Sequence, residues 1–164
     1  MIRYAQECDL PEILQIYNDA ILHTTAVYED TVQTLPDRLA WFREKQAQAF
    51  PVLVYESGNN ILGFATFSRF GTLSGFKYTV KDSVYVDKRH RCKYIGTKLL
   101  VALIEIAQSG GYATMVAEID DSNESSKIMH EKVGFKNAGT ICKAGYKFGT
   151  WLDLAVYQYE LKRV

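Results

Sequence analysis

The sequence predicts an α+β fold in which four helices pack on a mixed, mostly antiparallel sheet of about seven strands. Four segments carry apolar residues at the helical period, and seven β-prone runs lie before, between and after them. This order is typical of helices packed on a mixed sheet. The 164 residues have the length of one domain, so we expect residues 1–164 to form a single domain.

The chain begins with a predicted strand and two predicted helices. Residues 2–5 are β-prone, and Asp9 then provides an N-cap for a helix whose apolar stripe covers residues 13–21. A second helix begins near residues 34–37, where Thr-Leu-Pro-Asp combines an N-cap residue with an early proline. Pro51 marks the end of this helical region.

The next part of the chain predicts three strands. Residues 52–56 and 61–68 are apolar runs joined by Ser-Gly-Asn-Asn, which predicts an antiparallel hairpin. Residues 69–78 contain two glycines and no clear period, so we expect an irregular loop of the kind that carries function. Strand character returns at residues 79–86.

Helices and strands alternate over the remainder of the chain. Residues 96–108 place leucine, isoleucine and alanine at helical spacing, and the glycines at positions 110 and 111 are expected to end that helix. The other predicted elements are a strand at 115–119, a helix at 125–133, strands at 135–141 and 151–161, and a glycine-punctuated loop at 143–150.

The composition excludes several classes of function. Nineteen basic and nineteen acidic residues give a net charge of zero, so no bulk field attracts nucleic acid or an anionic membrane surface. The apolar stretch at residues 99–107 is too short for a membrane span, and the N-terminus lacks the apolar core of a signal peptide. We therefore expect a cytoplasmic protein with no nucleic-acid or membrane partner.

The cysteines and histidines predict neither a disulfide framework nor a metal site. Cys8, Cys92 and Cys142 are odd in number and widely spaced, and the three histidines show no HExxH or other ligand spacing. We expect three reduced thiols and no bound metal.

The segment SVYVDKRHRCKYIGTKLL, residues 83–100, is a candidate phosphate site. A strand runs into a short polar turn and then directly into a helix, which presents unpaired backbone N–H groups and the positive end of the helix dipole at one point. Gly96 allows a ligand to approach the backbone. Four basic residues lie in the turn: Lys88, Arg89, Arg91 and Lys93.

Several motifs resemble one enzyme family. The turn is similar to the pyrophosphate loop Q/R-x-x-G-x-G/A of the GNAT acetyltransferase superfamily, with Tyr94 at the first glycine position. The segments IYNDAILHTTAVYED, SVYV, HEKVGF and AGYKFGTWLD resemble the phosphinothricin and methionine sulfoximine acetyltransferases within it. The resemblance implies the GNAT fold, acetyl-CoA as donor, a small amino-acid-like amine as acceptor, and a homodimer.

The resemblance also implies which residues hold CoA. Backbone groups from Cys92 to Thr97 would cradle the pyrophosphate, the strand edge at Val84–Val86 would pair with the pantetheine amides, and Asn123 would contact CoA or cap a helix. The implied CoA-binding residues are Val84, Tyr85, Val86, Arg91, Cys92, Lys93, Tyr94, Ile95, Gly96, Thr97 and Asn123.

The catalytic residues depart from the family pattern. His130 stands where relatives place the acid that protonates the CoA thiolate. Relatives read TVExSVYV with glutamate as the base, whereas this chain has Lys81 in that position. Asp82 is a possible substitute, although strand alternation points it to the opposite face. Lys81 is a solvated strand residue, a base, or a contact for the acceptor's carboxylate.

The acceptor site is expected to combine aromatic walls with cations suited to a carboxylate. The candidates are Tyr28, Phe70, Lys77, Lys147 and Trp151, and core packing is an alternative for each aromatic residue. Two other functions stay open: an acyl-CoA-binding protein with little or no turnover, and an N-acetyltransferase for a peptide or polyamine. The residues at positions 81 and 94 motivate the first of these.

Overall fold

The computed structural model describes residues 1–162, in which one seven-stranded sheet packs against four helices. The strands are β1 (Ile2–Tyr4), β2 (Val52–Ser57), β3 (Asn60–Arg69), β4 (Thr79–Val86), β5 (Thr114–Asp120), β6 (Lys136–Lys147) and β7 (Thr150–Glu160). The helices are α1 (Leu10–His23), α2 (Leu35–Ala47), α3 (Ile95–Ser109) and α4 (Glu124–Val133). The α+β prediction is therefore confirmed. None of these helices is long and apolar enough to cross a membrane.

The strands lie in the order β1-β2-β3-β4-β5-β7-β6. Only β4 and β5 pair in parallel, and the other neighbours are antiparallel. Helices α1 and α2 pack on the face that carries Val54 and Phe64, whereas α3 packs on the face that carries Leu53 and Ala65. The period of two along each strand thus divides the core into two layers.

Local sequence sets the ends of the helices. Thr34 and Asp37 form a capping box at the start of α2, as their spacing predicts. Asn123 caps α4 by accepting a hydrogen bond from the Ser126 amide, and Gly134 ends that helix at φ +118°.

Strands β4 and β5 separate after a short parallel contact. Thr79–Lys81 pairs with Thr114–Val116, and beyond that point β4 is paired only with β3 while β5 is paired only with β7. The separation leaves one backbone edge of β4 available near Val84–Val86. We call this gap the β4–β5 opening.

The prediction of a loop at residues 143–150 is wrong. Strand β6 continues to Lys147, and only Phe148 and Gly149 connect it to β7, with φ of 52° and 73° as in a two-residue type I′ hairpin. A bulge between Ile141 and Gly145, with Lys143 at φ 52°, interrupts the alternation along β6. Because the alternation is interrupted, the sequence pattern does not indicate that the strand continues beyond the bulge.

Candidate functional site

A groove of about 840 Å³ begins at the β4–β5 opening. Val84–Val86 form one wall, and the loop before α3 with the first turn of that helix forms another. The start of α4 and the segment Thr24–Ala26 after α1 complete the groove, together with Phe148 at the tip of the β6–β7 hairpin.

The loop at residues 91–97 presents a cluster of free backbone donors to the groove. Cys92 and Tyr94 both adopt left-handed conformations, with φ of 61° and 59°. No backbone N–H from Arg91 to Thr97 donates to an acceptor within residues 1–162. Left-handed residues next to a helix N-terminus turn successive N–H groups inward, which makes a concave site for a phosphate anion.

Gly96 allows α4 to pack closely against the start of α3. A Cβ atom at this position would lie 2.8 Å from Met129 Sδ and 3.6 Å from Val86. Because glycine has no Cβ atom, Met129 of α4 can lie against the first turn of α3 without either helix being displaced.

The basic residues of this loop differ in their partners. Lys88 pairs with Asp19 at 2.6 Å and Arg89 pairs with Asp87 at 2.7 Å. Arg91 lines the groove and forms no ion pair with any residue from 1 to 162. Arg91 is therefore the cation of this loop, unpaired within those residues, that lines the groove and can meet a phosphate there.

The implied CoA-binding residues gather at this groove with one exception. Lys93 lines a separate, adjoining cleft of about 570 Å³. Asn123 both caps α4 and faces the groove, so the two interpretations of this residue hold together. The groove-lining members of the implied set are Val84, Tyr85, Val86, Arg91, Cys92, Tyr94, Ile95, Gly96, Thr97 and Asn123.

His130 and Asp82 form a buried pair behind the groove wall. His130 Nε2 lies 3.1 Å from Asp82 Oδ2, and His130 Nδ1 lies 2.8 Å from the Ser126 carbonyl oxygen. Since a carbonyl only accepts, Nδ1 carries a proton. His130 is 3% exposed and does not line the groove, so it does not directly face the thiolate that it is expected to protonate.

The environment of His130 favours its charged form. Burial lowers the pKa of this imidazole, but the hydrogen bond and charge of Asp82 more than offset that effect, so the pKa lies above its ordinary value. The hydroxyl of Ser126 lies 3.4 Å from Nδ1 and faces the groove. Ser126 thus separates a protonated imidazole from the groove.

Lys81 lies on the other face of the sheet from Asp82, as strand alternation predicts. Its ammonium donates to Glu118 Oε2 on β5 at 2.8 Å. An ammonium held by a carboxylate has no lone pair with which to accept a proton. This geometry favours an ion pair over the interpretation of Lys81 as a base.

Lys147 ties the β6–β7 hairpin to the end of α1. Its ammonium donates to the carbonyl oxygens of Ile21, Thr24 and Val27 at 2.7–2.8 Å, and the residue is 3% exposed. These bonds use all three N–H donors, which leaves none for an acceptor's carboxylate. The expected substrate contact of Lys147 does not fit this geometry.

The other expected acceptor residues lie outside the groove. Tyr28 donates its hydroxyl to Asp120 at 2.9 Å. Phe70 packs edge-to-face on Phe76, and the Lys77 ammonium lies 5.0 Å from the Tyr78 ring centre. Trp151 packs on Tyr146. Each of the three aromatic candidates thus has a protein partner.

Sequence reasoning missed four residues around the end of the groove near α1. Thr25, Ser122 and Phe148 line it, and Asp120 lies behind the first two. The run Asp-Asp-Ser-Asn after a buried strand is a detectable sign, since polar residues at strand ends often form sites. Phe148 lies inside the recognised motif AGYKFGTWLD, but its position at a hairpin tip depends on the hidden extension of β6.

The described residues contain no group of three or more His, Cys, Asp or Glu side chains placed to hold a metal ion. The three cysteines are exposed and unpaired.

Comparison with known proteins gives consistent matches over almost the whole chain. Residues 10–135 match the profile described as "Acetyltransferase (GNAT) family". An L-methionine sulfoximine/L-methionine sulfone acetyltransferase of Salmonella typhimurium is 41% identical over 160 residues, covering 98% of this chain and 94% of that protein. A phosphinothricin N-acetyltransferase of Alcaligenes faecalis is 29% identical over 98% of this chain and 82% of that protein.

Solved structures agree with these matches. An N-acetyltransferase from Staphylococcus aureus Mu50 superimposes with a TM-score of 0.98 at 50% identity, covering 99% of this chain and 98% of that one. A protein from Salmonella typhimurium, solved with its cofactor acetyl-CoA, superimposes with a TM-score of 0.97 at 40% identity, covering 100% of this chain and 95% of that one.

Proposed function

This chain belongs to the GNAT acetyltransferase family, and we propose that it transfers an acetyl group from acetyl-CoA to the amine of a small amino-acid-like acceptor. The observation that carries the proposal is the groove, which joins a strand edge to a cluster of free amides at a helix N-terminus. Acetyl-CoA combines an amide-rich pantetheine arm with a pyrophosphate, and this groove supplies a matching partner for each.

The donor is held by backbone groups and one cation. The edge of β4 at Val84–Val86 pairs with the pantetheine amides as an added strand would. The amides from Cys92 to Thr97 take the pyrophosphate, and Arg91 neutralises part of its charge. A backbone N–H of β4 polarises the thioester carbonyl.

Acetyl transfer proceeds by direct attack in a ternary complex. The acceptor's ammonium loses one proton to water, and its nitrogen bonds to the thioester carbonyl carbon. The second nitrogen proton passes to water as the carbon–sulfur bond breaks. The departing thiolate takes the Ser126 hydroxyl proton, and His130 Nδ1, which otherwise donates to the Ser126 carbonyl oxygen, replaces that proton across 3.4 Å. His130 then recovers a proton from water. Asp82 keeps the imidazole charged and oriented.

The proposed class of acceptor is based on the names of the two acetyltransferase relatives described above. Those proteins are named for methionine sulfoximine, methionine sulfone and phosphinothricin, which share an α-amino acid core with a tetrahedral sulfur or phosphorus group. We propose that this chain acetylates the α-amino group of the same class of compounds. Lys77 and Phe70 remain candidate contacts for the carboxylate and side chain of the acceptor.

We also propose that residues 1–164 act as one domain, as a homodimer and in the cytoplasm. The exposed aromatic side chains Tyr146 and Trp151, packed on one another on the β6–β7 hairpin, support an interface there. Light scattering should give the mass of two chains. The mass of one chain would contradict the homodimer.

Mass spectrometry of the acetylated product tests the activity without thiol dyes, which the three cysteines would disturb. The chain is mixed with acetyl-CoA and phosphinothricin, methionine sulfoximine, methionine sulfone or a common amino acid. We expect product with the sulfoximine or sulfone, and lower turnover with His130→Gln. Acetyl-CoA binding by calorimetry with no product from any amine would favour the non-catalytic binding protein.

A further inference from the structure

Asp120, at the end of β5, is a buried carboxylate that accepts hydrogen bonds from three hydroxyl groups. Tyr28 donates to Oδ1 at 2.9 Å, Thr25 donates to Oδ2 at 2.7 Å, and Ser122 also donates to Oδ2. Asp120 is 4% exposed, and no Lys, Arg or His within residues 1–162 forms an ion pair with it. Hydroxyl groups solvate this charge, but no described cation neutralises it.

The carboxylate fixes the polarity of the groove wall. A hydroxyl group has one proton to donate, and Thr25 and Ser122 both donate theirs to Asp120. Both residues line the groove, so the oxygen atoms that they offer to a ligand act only as acceptors. This end of the groove therefore suits a ligand that donates hydrogen bonds.

The surrounding contacts hold this arrangement in place. The Tyr28 ring packs so closely on Gly145 that a Cβ atom there would come within 2.6 Å of it. Burial and the bond to Asp120 raise the pKa of the Tyr28 phenol, which keeps it a donor. Lys147 binds the carbonyl oxygens of Thr24 and Val27, on either side of Thr25.

We propose that Asp120 is a positioning residue that makes the end of the groove at Thr25 and Ser122 a recognition site for the ammonium group of the acceptor. The inference rests on the proposed acetyl transfer to amines and adds the part of the site that selects them. A buried, un-neutralised carboxylate favours a cation nearby, and the two hydroxyl oxygens provide acceptors for its N–H groups. A carboxylate or a phosphate meets repulsion at the same point.

The test compares two ligands and two variants. One ligand is methionine sulfone, and the other is its analogue with hydrogen in place of the amino group. Asp120→Asn removes the charge and directs an N–H toward a hydroxyl group, which frees that hydroxyl's proton for the groove. Asp121→Asn is the matched control, since Asp121 is the adjacent, half-buried carboxylate that pairs with Lys127. Calorimetry in the presence of CoA measures the affinity for both ligands.

In Asp120→Asn we expect an affinity for methionine sulfone about tenfold weaker, a KM raised to match, and binding of the analogue and of acetyl-CoA within twofold of the unmodified chain. Asp121→Asn should change none of these. Equal weakening of both ligands would show a merely structural role, and an unchanged affinity for the sulfone would also overturn the inference.

A second variant keeps the inference testable if Asp120→Asn does not fold. Thr25→Val preserves side-chain volume and removes one groove-facing oxygen, so the sulfone should again lose affinity while the analogue does not. An unmodified chain that binds acetyl-CoA but neither sulfone nor analogue would overturn the proposed acceptor class together with this inference. Failure to bind acetyl-CoA would instead contradict the proposed function itself.

Discussion

Tyr94, the residue before α3, has a strained backbone conformation in the loop that we assign to pyrophosphate binding. Its backbone is left-handed at φ 59°, a conformation that costs an L-residue about 1–2 kcal/mol relative to the right-handed form. The side chain is 72% exposed, so little packing compensates for this cost. The family pattern has glycine here, and the structure shows the physical reason for that preference: the loop needs a left-handed residue to turn its amides toward the groove.

Replacement of Tyr94 by glycine should therefore stabilise the protein. We expect Tyr94→Gly to raise the free energy of unfolding by up to about 1 kcal/mol, because the relieved strain exceeds the extra entropy that glycine adds to the unfolded chain. Urea unfolding measures the change. Tyr94→Ala keeps the left-handed strain and is the control, so an equal gain in that variant would contradict this explanation.

The buried pair of His130 and Asp82 predicts a pH dependence of stability. The pKa of His130 is raised above its ordinary 6.5, so its stabilising contribution is complete below that pH and is lost as the pH rises through the folded-state pKa. Between about pH 6 and about pH 9, the unmodified chain should lose more free energy of unfolding than Asp82→Asn. Urea unfolding across this range would show parallel curves if the pair were uncharged.

At the scale of elements, the β6–β7 hairpin and helix α1 act as one unit through Lys147. The ammonium lies between the carbonyl oxygens of Ile21, Thr24 and Val27 and donates one hydrogen bond to each of them. Because the loop after α1 and the tip at Phe148 both line the groove, this clamp shapes the end assigned to the acceptor.

Loss of the clamp should destabilise the fold. Lys147→Met leaves buried carbonyl oxygens without donors, and we expect the free energy of unfolding to fall by at least about 2 kcal/mol. The control is Lys143→Met, which changes an exposed lysine on the same strand and should have an effect within about 0.5 kcal/mol. Similar unfolding midpoints for the two variants in urea would show that the clamp contributes little.

Most elements were predictable because their ends carry local chemical signals. The Thr34 and Asp37 capping box and the Ser-Gly-Asn-Asn turn before β3 act over a few residues, so their effect is visible in the sequence. The full length of β6 was not predictable, since its bulge near Lys143 breaks the period of two. In the sequence, a break in the alternation of a strand predicts a loop.

The same distinction applies to the site: contacts within one sequence segment were predictable, and contacts between distant segments were not. The loop at residues 91–97 is contiguous in sequence, so its chemistry could be predicted almost completely. The bond between Asp82 and His130 joins residues 48 positions apart, and that between Thr25 and Asp120 joins residues 95 positions apart. Only the separation of β4 from β5 and the return of the hairpin bring such groups together, and one sequence does not reveal these contacts.

At the scale of the whole molecule, a net charge of zero makes donor binding depend on local groups. Arg91 and Lys93 stand two residues apart on one loop but face different cavities. We expect Arg91→Ala to weaken acetyl-CoA binding about tenfold, as befits a charged contact to phosphate, and Lys93→Ala to weaken it by less than about twofold. Calorimetry would contradict the assignment if the two effects were equal.

A crystal structure of the chain with acetyl-CoA and methionine sulfone tests the account most directly. We expect the pyrophosphate within hydrogen-bond distance of the amides from Cys92 to Thr97 and the pantetheine along Val84–Val86. The acceptor nitrogen should face Thr25 and Ser122. Density for CoA in the separate cleft beside Lys93, with the β4–β5 opening empty, would contradict the proposed site and the mechanism built on it.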